Sequence, residues 1–399
     1  MRRLARLLLA TVLLLAALNA AALPPTMRMR GDSVRVSLVT FAPGSDNYAL
    51  FGHAELRVVD SLYDAYFNYG VFDFATPNFL YRFAAGETDY MCVAMPVEMA
   101  MDGNEGRKMT EQVLNLTHDE AVALRALLWQ NVQPLNREYR YRYFSDNCAT
   151  RPRDVVEQVV TGGIHYTRLP LERVTLRDVM RRYTRNYPWE QFGIDLVLGA
   201  PCDTVITQRQ LHFIPMLLHD AVAGATVERN GRRVPLVTHE NVMVPGSDAG
   251  TVLPPTPWWR SPMAAMCLVL ALSLAVSVGP WRRGRAARCF DTLLFVALAL
   301  VGVVVWFIAF ISTHEATAPN YNALWLSPLL LLPAILVWCP RAMRWLLCCH
   351  AVELALTLTT ATVWAAGLQA PNAAFWPLAA AVAARSLSWL LPLRHHRNG

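Results

Sequence analysis

Asp146-Asn147-Cys148-Ala149-Thr150-Arg151-Pro152 is the stretch that decides how this chain is read. Proline fits the first turn of a helix and breaks its interior, because it has no N–H and its ring clashes with the preceding turn. The apolar positions Val155, Val156, Val159 and Val160 therefore belong to a helix that begins just upstream of Pro152. Asp146 or Asn147 is its cap, since either side chain accepts from the free amides of the first turn. Cys148 then lies where those amides and the positive end of the helix dipole favour a thiolate over a thiol of pKa about 8.5. A nucleophilic thiol also needs a base, and His53 in Phe51-Gly52-His53-Ala54-Glu55 is the candidate, at the head of a strand. A third polar group must orient the imidazole. Asn68, on the neighbouring strand, is the first choice; Glu55, two residues along and on the same face, is the second. The plain alternatives are a structural or bridged cysteine and a histidine that is simply a satisfied core or surface group.

Both ends of the chain place this thiol relative to a membrane. Arg2, Arg3 and Arg6 precede an apolar run from Leu7 to Leu18 and then Ala20-Ala21-Ala22, the three-part pattern of a secretory signal over residues 1–22. An uncleaved anchor helix is the alternative, and either sends the downstream domain across the membrane. From Met263 onward, apolar segments near 263–280, 290–312, 324–340, 345–368 and 374–392 suggest about five spans, each approaching the roughly 20 residues that crossing requires. The third is short, and Pro377 and Arg385 interrupt the last. Arginines cluster in the connection 281–288, at Arg341 and Arg344, and in the tail 393–399, whereas the loops 313–323 and 369–373 hold no lysine or arginine. By the positive-inside rule the arginine-bearing ends are cytoplasmic and the region before the first span is outside. A multi-pass protein of a bacterial inner membrane, with its N-terminal domain in the periplasm, is the expectation.

The net charge of +6 says little about partners, because much of it is the membrane-proximal arginine and the chain has a single lysine, Lys108. No basic patch with interleaved aromatics of the kind nucleic acid requires is present. Residues 27–250 suffice for one compact domain, with 251–262 a linker and Trp258-Trp259 an interfacial anchor. Strands are expected over Val34–Val39, from His53 through Val58, and through Tyr66–Tyr69. Thr117-His118-Asp119-Glu120 has capping-box spacing ahead of the helical stripe Ala121, Leu124, Leu128, Val132, and Asn230-Gly231 marks a hairpin. The class is α+β, with an antiparallel sheet and the Cys148 helix on one face.

Cys92, Cys148 and Cys202 are the cysteines of this domain, and an odd count leaves at least one unpaired; the simplest reading leaves Cys148 free and Cys92 and Cys202 buried or bridged. The histidines show no metal-ligand spacing, so no metal is expected, and the chemistry calls for no cofactor. Arg151 and Arg153 flank the helix start as candidate binders of a phosphate or carboxylate, with a salt bridge to Asp154 the alternative. The aromatic-rich stretch from Tyr66 to Phe83 is either core packing or an apolar groove for an acyl chain. His314, Asn320 and Asn322, in the loop after the second span, face the same side as Cys148 and are candidate substrate contacts.

Leu50-Phe51-Gly52-His53, Phe67-Asn68-Tyr69-Gly70-Val71-Phe72-Asp73-Phe74, the Asp146–Arg151 run and the loop from Asn320 to Leu326 occur in that order. Together they resemble envelope proteins of the Lnb type, a likeness that covers residues 34–330. That resemblance implies lipoprotein N-acyltransferase activity, with a membrane phospholipid as acyl donor and diacylated lipoproteins as acceptor. It also implies a permuted NlpC-type, papain-like periplasmic domain, in which the histidine strand precedes the cysteine helix, followed by an all-α transmembrane domain. With the residue reading above, the catalytic set expected is Cys148, His53 and Asn68, with Asn147 and Cys148 at the helix start as oxyanion donors. A cell-wall peptidase or amidase with the same Cys–His pair, or a non-catalytic membrane scaffold, are the alternatives.

Overall fold

The computed structural model describes residues 33–391 apart from 74, 102, 103, 105, 249, 251 and 252. The expected signal 1–22, the tail 393–399 and Phe74 lie outside the described residues.

Alternation of apolar and polar side chains builds the sheet. β1 (Arg35–Phe41), β2 (His53–Val59) and β3 (Asp64–Val71) are the three strands expected from the pattern. β4 (Asp89–Met95), β5 (Met109–Leu114) and β6 (Glu138–Arg140) extend the sheet. β7 (Ile164–His165), β8 (Thr226–Arg229) and β9 (Arg232–Pro235) form a small separate sheet, and β10 (Val237–Val244) returns to the edge of the first. The main sheet has seven antiparallel strands in the order β10-β5-β1-β2-β3-β4-β6. Asn230 and Gly231, with φ of 50° and 73°, make the tight turn between β8 and β9, as their sequence demands.

One face of the sheet carries Leu38, Leu56, Val58 and Phe67, which close a core with Leu124 and Leu128 and with Val155 and Val156. The helices His118–Asn131 and Thr150–Val159 supply those partners. Thr117 makes the full capping box expected of it, with Glu120. The opposite face packs Val39, Phe41, Tyr66 and Met109. By the period of two along a strand, His53, Glu55 and Asn68 share that second face. Cys92 and Cys202 are buried free thiols, not a bridge.

Beyond residue 257 the chain is helical: Pro262–Ser277, Arg285–Phe310, the short pieces Asn322–Trp325, Pro328–Leu330 and Leu331–Leu336, then Met343–Ala365 and Phe375–Leu390. Arg285–Phe310 and Pro340–Ala365 are long and apolar enough to cross a membrane; the others are shorter. The third expected span is broken into turns, because Pro328 and Pro333 each remove a backbone donor. Arg385 does not interrupt the last helix. It is buried and pairs with Asp291 through Nε at 2.6 Å and Nη2 at 2.8 Å, while Trp389 donates to the same carboxylate at 2.8 Å. A buried guanidinium held this way is tolerated because nearly every donor is satisfied. Trp258 and Trp259, expected as an interfacial anchor, stand exposed just before the first of these helices.

Candidate active site

The loop after β1 must turn back tightly to place His53 opposite Phe41. Gly52 makes this possible: its φ is 83°, and a Cβ there would lie 2.7 Å from the Phe41 carbonyl oxygen. His53 Nε2 then sits 3.0 Å from Asn68 Oδ1 and 3.4 Å from Glu55 Oε1. Facing two acceptors, Nε2 carries a proton, which leaves Nδ1 as the ring nitrogen for the thiol. Asn68 is itself held, because its Oδ1 also accepts from the Gly70 N–H at 2.7 Å. Gly70 is required for a different reason: a Cβ there would stand 2.6 Å from His53 Cε1. Asn68 and Glu55 therefore both hold the His53 ring, Asn68 through a neutral acceptor and Glu55 through a buried carboxylate.

The cysteine turn is built around Asn147. Its Oδ1 accepts from the N–H of Ala149 and of Thr150, each at 2.9 Å, and its Nδ2 donates to the carbonyls of Tyr143 and Phe213. Its own N–H donates to Thr150 Oγ1 at 2.8 Å. Asn147, not Asp146, is the cap; Asp146 instead forms a two-pronged pair with Arg151. With every donor committed, Asn147 cannot serve as an oxyanion donor. The Cys148 N–H, by contrast, donates to no protein acceptor among the described residues. The thiol lies beside the N-terminal end of β2. That end is open towards β3, since the two strands pair only from Leu56 to Val59.

Burial raises the Cys148 pKa, but the His53 imidazolium and hydrogen bonds from His53, the Ala54 N–H and the Tyr141 hydroxyl outweigh it and bring it below a free thiol's. Burial likewise pushes His53 down, and the Cys148 thiolate and Glu55 carboxylate more than offset this, raising it to about 10. Both shifts run in the same direction, favouring thiolate and imidazolium over the neutral pair.

The N-terminal part, residues 23–182, matches the model of the Lnb N-terminal periplasmic domain, and residues 255–396 match that of the Lnb transmembrane domain. The chain belongs to the Lnb family. It is a membrane protein with a periplasmic N-terminal domain. No curated protein and no solved structure matches it.

With the periplasmic side of the Lnb chain defined, the remaining candidates take their places. Arg153 is buried and pairs with Asp154 at 2.7 Å, and Arg151, besides Asp146, lies 3.6 Å over the Tyr139 ring. Both guanidinium groups are paired with neighbouring carboxylates, for Arg153 the salt bridge expected as the alternative. Asn320 Nδ2 donates to the Leu196 and Val197 carbonyls and Asn322 Nδ2 to Leu196, while His314 Nε2 lies 2.7 Å from the Phe83 carbonyl. These three pin the membrane helices to the periplasmic domain, a structural part in place of the substrate contact expected of them. The most direct of these pins comes from the polar cluster Thr313-His314-Glu315 of the same loop. Glu315 accepts from the Phe144 N–H at 3.0 Å, the Ser145 N–H at 3.2 Å and the Ser145 hydroxyl, gripping the turn that leads into Cys148. Sequence reasoning missed Tyr141, whose place in the alternation Tyr139, Tyr141, Tyr143 marks a side chain that shares a face with its neighbours.

Proposed function

We propose that this protein is a thiol acyltransferase that moves an acyl chain from a membrane phospholipid to the N-terminal amine of diacylated lipoproteins. The observation that carries the reading is the Cys148–His53 pair, oriented by Asn68 and Glu55 and held by Glu315 against the end of an apolar helix long enough to cross a membrane. Cys148 Sγ attacks the carbonyl carbon of a phospholipid acyl ester. The oxyanion is met by the free Cys148 N–H, a kind of contact worth about 3 kcal/mol. The C–O bond breaks, His53 gives its proton to the departing lysophospholipid oxygen, and a thioester remains on Cys148. The α-amine of the lipoprotein's N-terminal cysteine then attacks that thioester, His53 takes the amine proton, and the C–S bond breaks to restore the thiolate. No cofactor enters either half.

The same proposal takes the periplasmic domain as a permuted NlpC-type, papain-like fold, with the His53 strand before the Cys148 helix. It takes the chain as a multi-pass inner-membrane protein with a signal at 1–22, a periplasmic domain over 27–250, a linker at 251–262, about five spans over 263–392 and a cytoplasmic tail. A water-using peptidase with the same pair would gain nothing from lipid proximity, which is why transfer is preferred. Mass spectrometry of lipoprotein N-termini tests it. Deleting the gene or introducing Cys148→Ala should leave diacylated lipoproteins, and triacylated lipoproteins persisting unchanged would end the reading.

A further inference from the structure

We infer that the helix Phe79–Ala85 dips into the periplasmic leaflet of the membrane and opens an aromatic path that leads a phospholipid acyl chain to Cys148. The inference rests on the transfer reading and names where its donor enters.

The path is a series of ring contacts. The Tyr141 hydroxyl touches the Cys148 thiol. Tyr141 stacks on Tyr90 with centroids 4.1 Å apart, Tyr90 meets Phe72 at 4.8 Å, Phe72 meets Phe79 at 5.8 Å, and Phe79 meets Phe83 at 6.0 Å. Tyr141, Tyr90, Phe72 and Phe79 are each half-buried, so each ring keeps part of its surface exposed. At its far end the series meets the membrane part. Tyr81 packs edge-on against Phe307, in the last turn of Arg285–Phe310, at 5.8 Å, and Thr313 N–H donates to the Ala85 carbonyl at 2.8 Å.

What the helix shows to its surroundings points to the occupant. Leu80 is 81% exposed, Tyr81 56% and Phe83 49%, three large apolar side chains within seven residues. Water disfavours such a cluster, and monomeric proteins seldom leave one without a use. Phe310 and Ile311, at the end of the neighbouring apolar helix, are exposed as well. The patch is thus continuous with the surface of a helix suited to lipid, at the level where that helix leaves for the periplasm. Aromatic side chains favour that interfacial depth. A bilayer phospholipid whose chain lies along these rings would bring its ester towards Sγ without leaving the membrane surface.

The test uses the full chain reconstituted in phospholipid vesicles. Leu80→Glu changes a side chain that touches no part of the catalytic set. It should lower thioester formation on Cys148 from long-chain phospholipid at least about tenfold, the loss expected when a large apolar contact is replaced by a charge. Acylation by a short-chain, water-soluble ester should stay within about twofold, since the pair itself is untouched. Equal loss with both donors, or no loss with either, overturns the path. A second variant, Leu80→Trp, adds one tryptophan to the twelve of the chain, and the fluorescence it adds over the unaltered protein should be quenched by phospholipids brominated near the headgroup end of their chains; an added fluorescence that is not quenched overturns the membrane contact. If the unaltered protein takes acyl groups from neither donor while Leu80→Trp is quenched, the transfer reading fails and the membrane contact stands.

Discussion

Replacing Glu55 by glutamine isolates the charge that holds His53. The side chain keeps its size, the Asn68 hydrogen bond to Nε2 at 3.0 Å stays, and only the carboxylate 3.4 Å away is neutralised. At that separation and an effective dielectric near 20, Coulomb's law sets a ceiling of about 5 kcal/mol. Hydrogen bonds to charged groups return about 1.5–3 kcal/mol net, which corresponds to about 1–2 pH units of imidazolium stability. His53, held at about 10, should fall by that amount, and Cys148, losing part of its counter-charge, should rise. Stability near neutral pH should fall by no more than that amount, because glutamine also relieves the burial of a charge, one oxygen of which has no partner. The assay is the rate of iodoacetamide alkylation at the Cys148 peptide against pH, read by mass spectrometry so that the other seven cysteines do not interfere. Expected is a profile whose acid limb moves up and whose alkaline limb moves down relative to the unaltered protein. A superimposable profile would refute the role given to Glu55 and leave Asn68 as the sole orienting group.

In the unaltered protein, alkylation of Cys148 should persist below the pH at which free thiols fall silent, decline only as pH drops through its lowered pKa, and change again near pH 10 as His53 loses its proton. Gly70→Ala forces a methyl group onto the His53 ring, 2.6 Å from Cε1; alkylation and turnover should fall by about 10²-fold, the scale of misplacing a catalytic group, with circular dichroism unchanged. Glu315→Ala releases the turn before Cys148, and the loss of its charge-assisted contacts should cost about 2–4 kcal/mol in thermal unfolding and lower turnover with both lipid and soluble donors. Arg385→Met alone strands the Asp291 carboxylate and should cost about 3–5 kcal/mol, whereas joining it to Asp291→Leu should recover most of the loss in a detergent-melting series.

How much of this was legible from sequence depended on whether a residue's partner lay nearby in the chain. β1, β2 and β3 announce themselves because apolar residues recur at every second position along them, even though six of the seven residues of β1 are buried. β5 does not, because Thr110, Glu111 and Gln112 put three polar residues in a row although all six of its residues are buried. β10 is mostly exposed, and it joins the sheet only by pairing with β5 more than a hundred residues earlier. The site followed the same rule. Pro152 and Asn147 gave the cysteine turn from within a few residues, and the strand period put His53 and Glu55 on one face. Arg151 and Arg153 have carboxylates close by in the chain, Asp146 and Asp154, and the Asp154 salt bridge is the alternative the sequence already offers. His314, Asn320 and Asn322 are polar loop residues in sequence, yet their acceptors are backbone carbonyls of the other domain, which no side-chain pattern reveals.

The central claim is that Cys148 carries an acyl group taken from lipid. Its most direct test is the mass of the Cys148 peptide after the full-length protein has been held in vesicles of isotopically labelled phospholipid and then quenched in acid. A labelled acyl adduct on Cys148 that hydroxylamine removes, absent from Cys148→Ala and discharged by a diacylated lipopeptide amine, is the predicted result. A Cys148 peptide that stays unmodified in the presence of lipid would contradict the account.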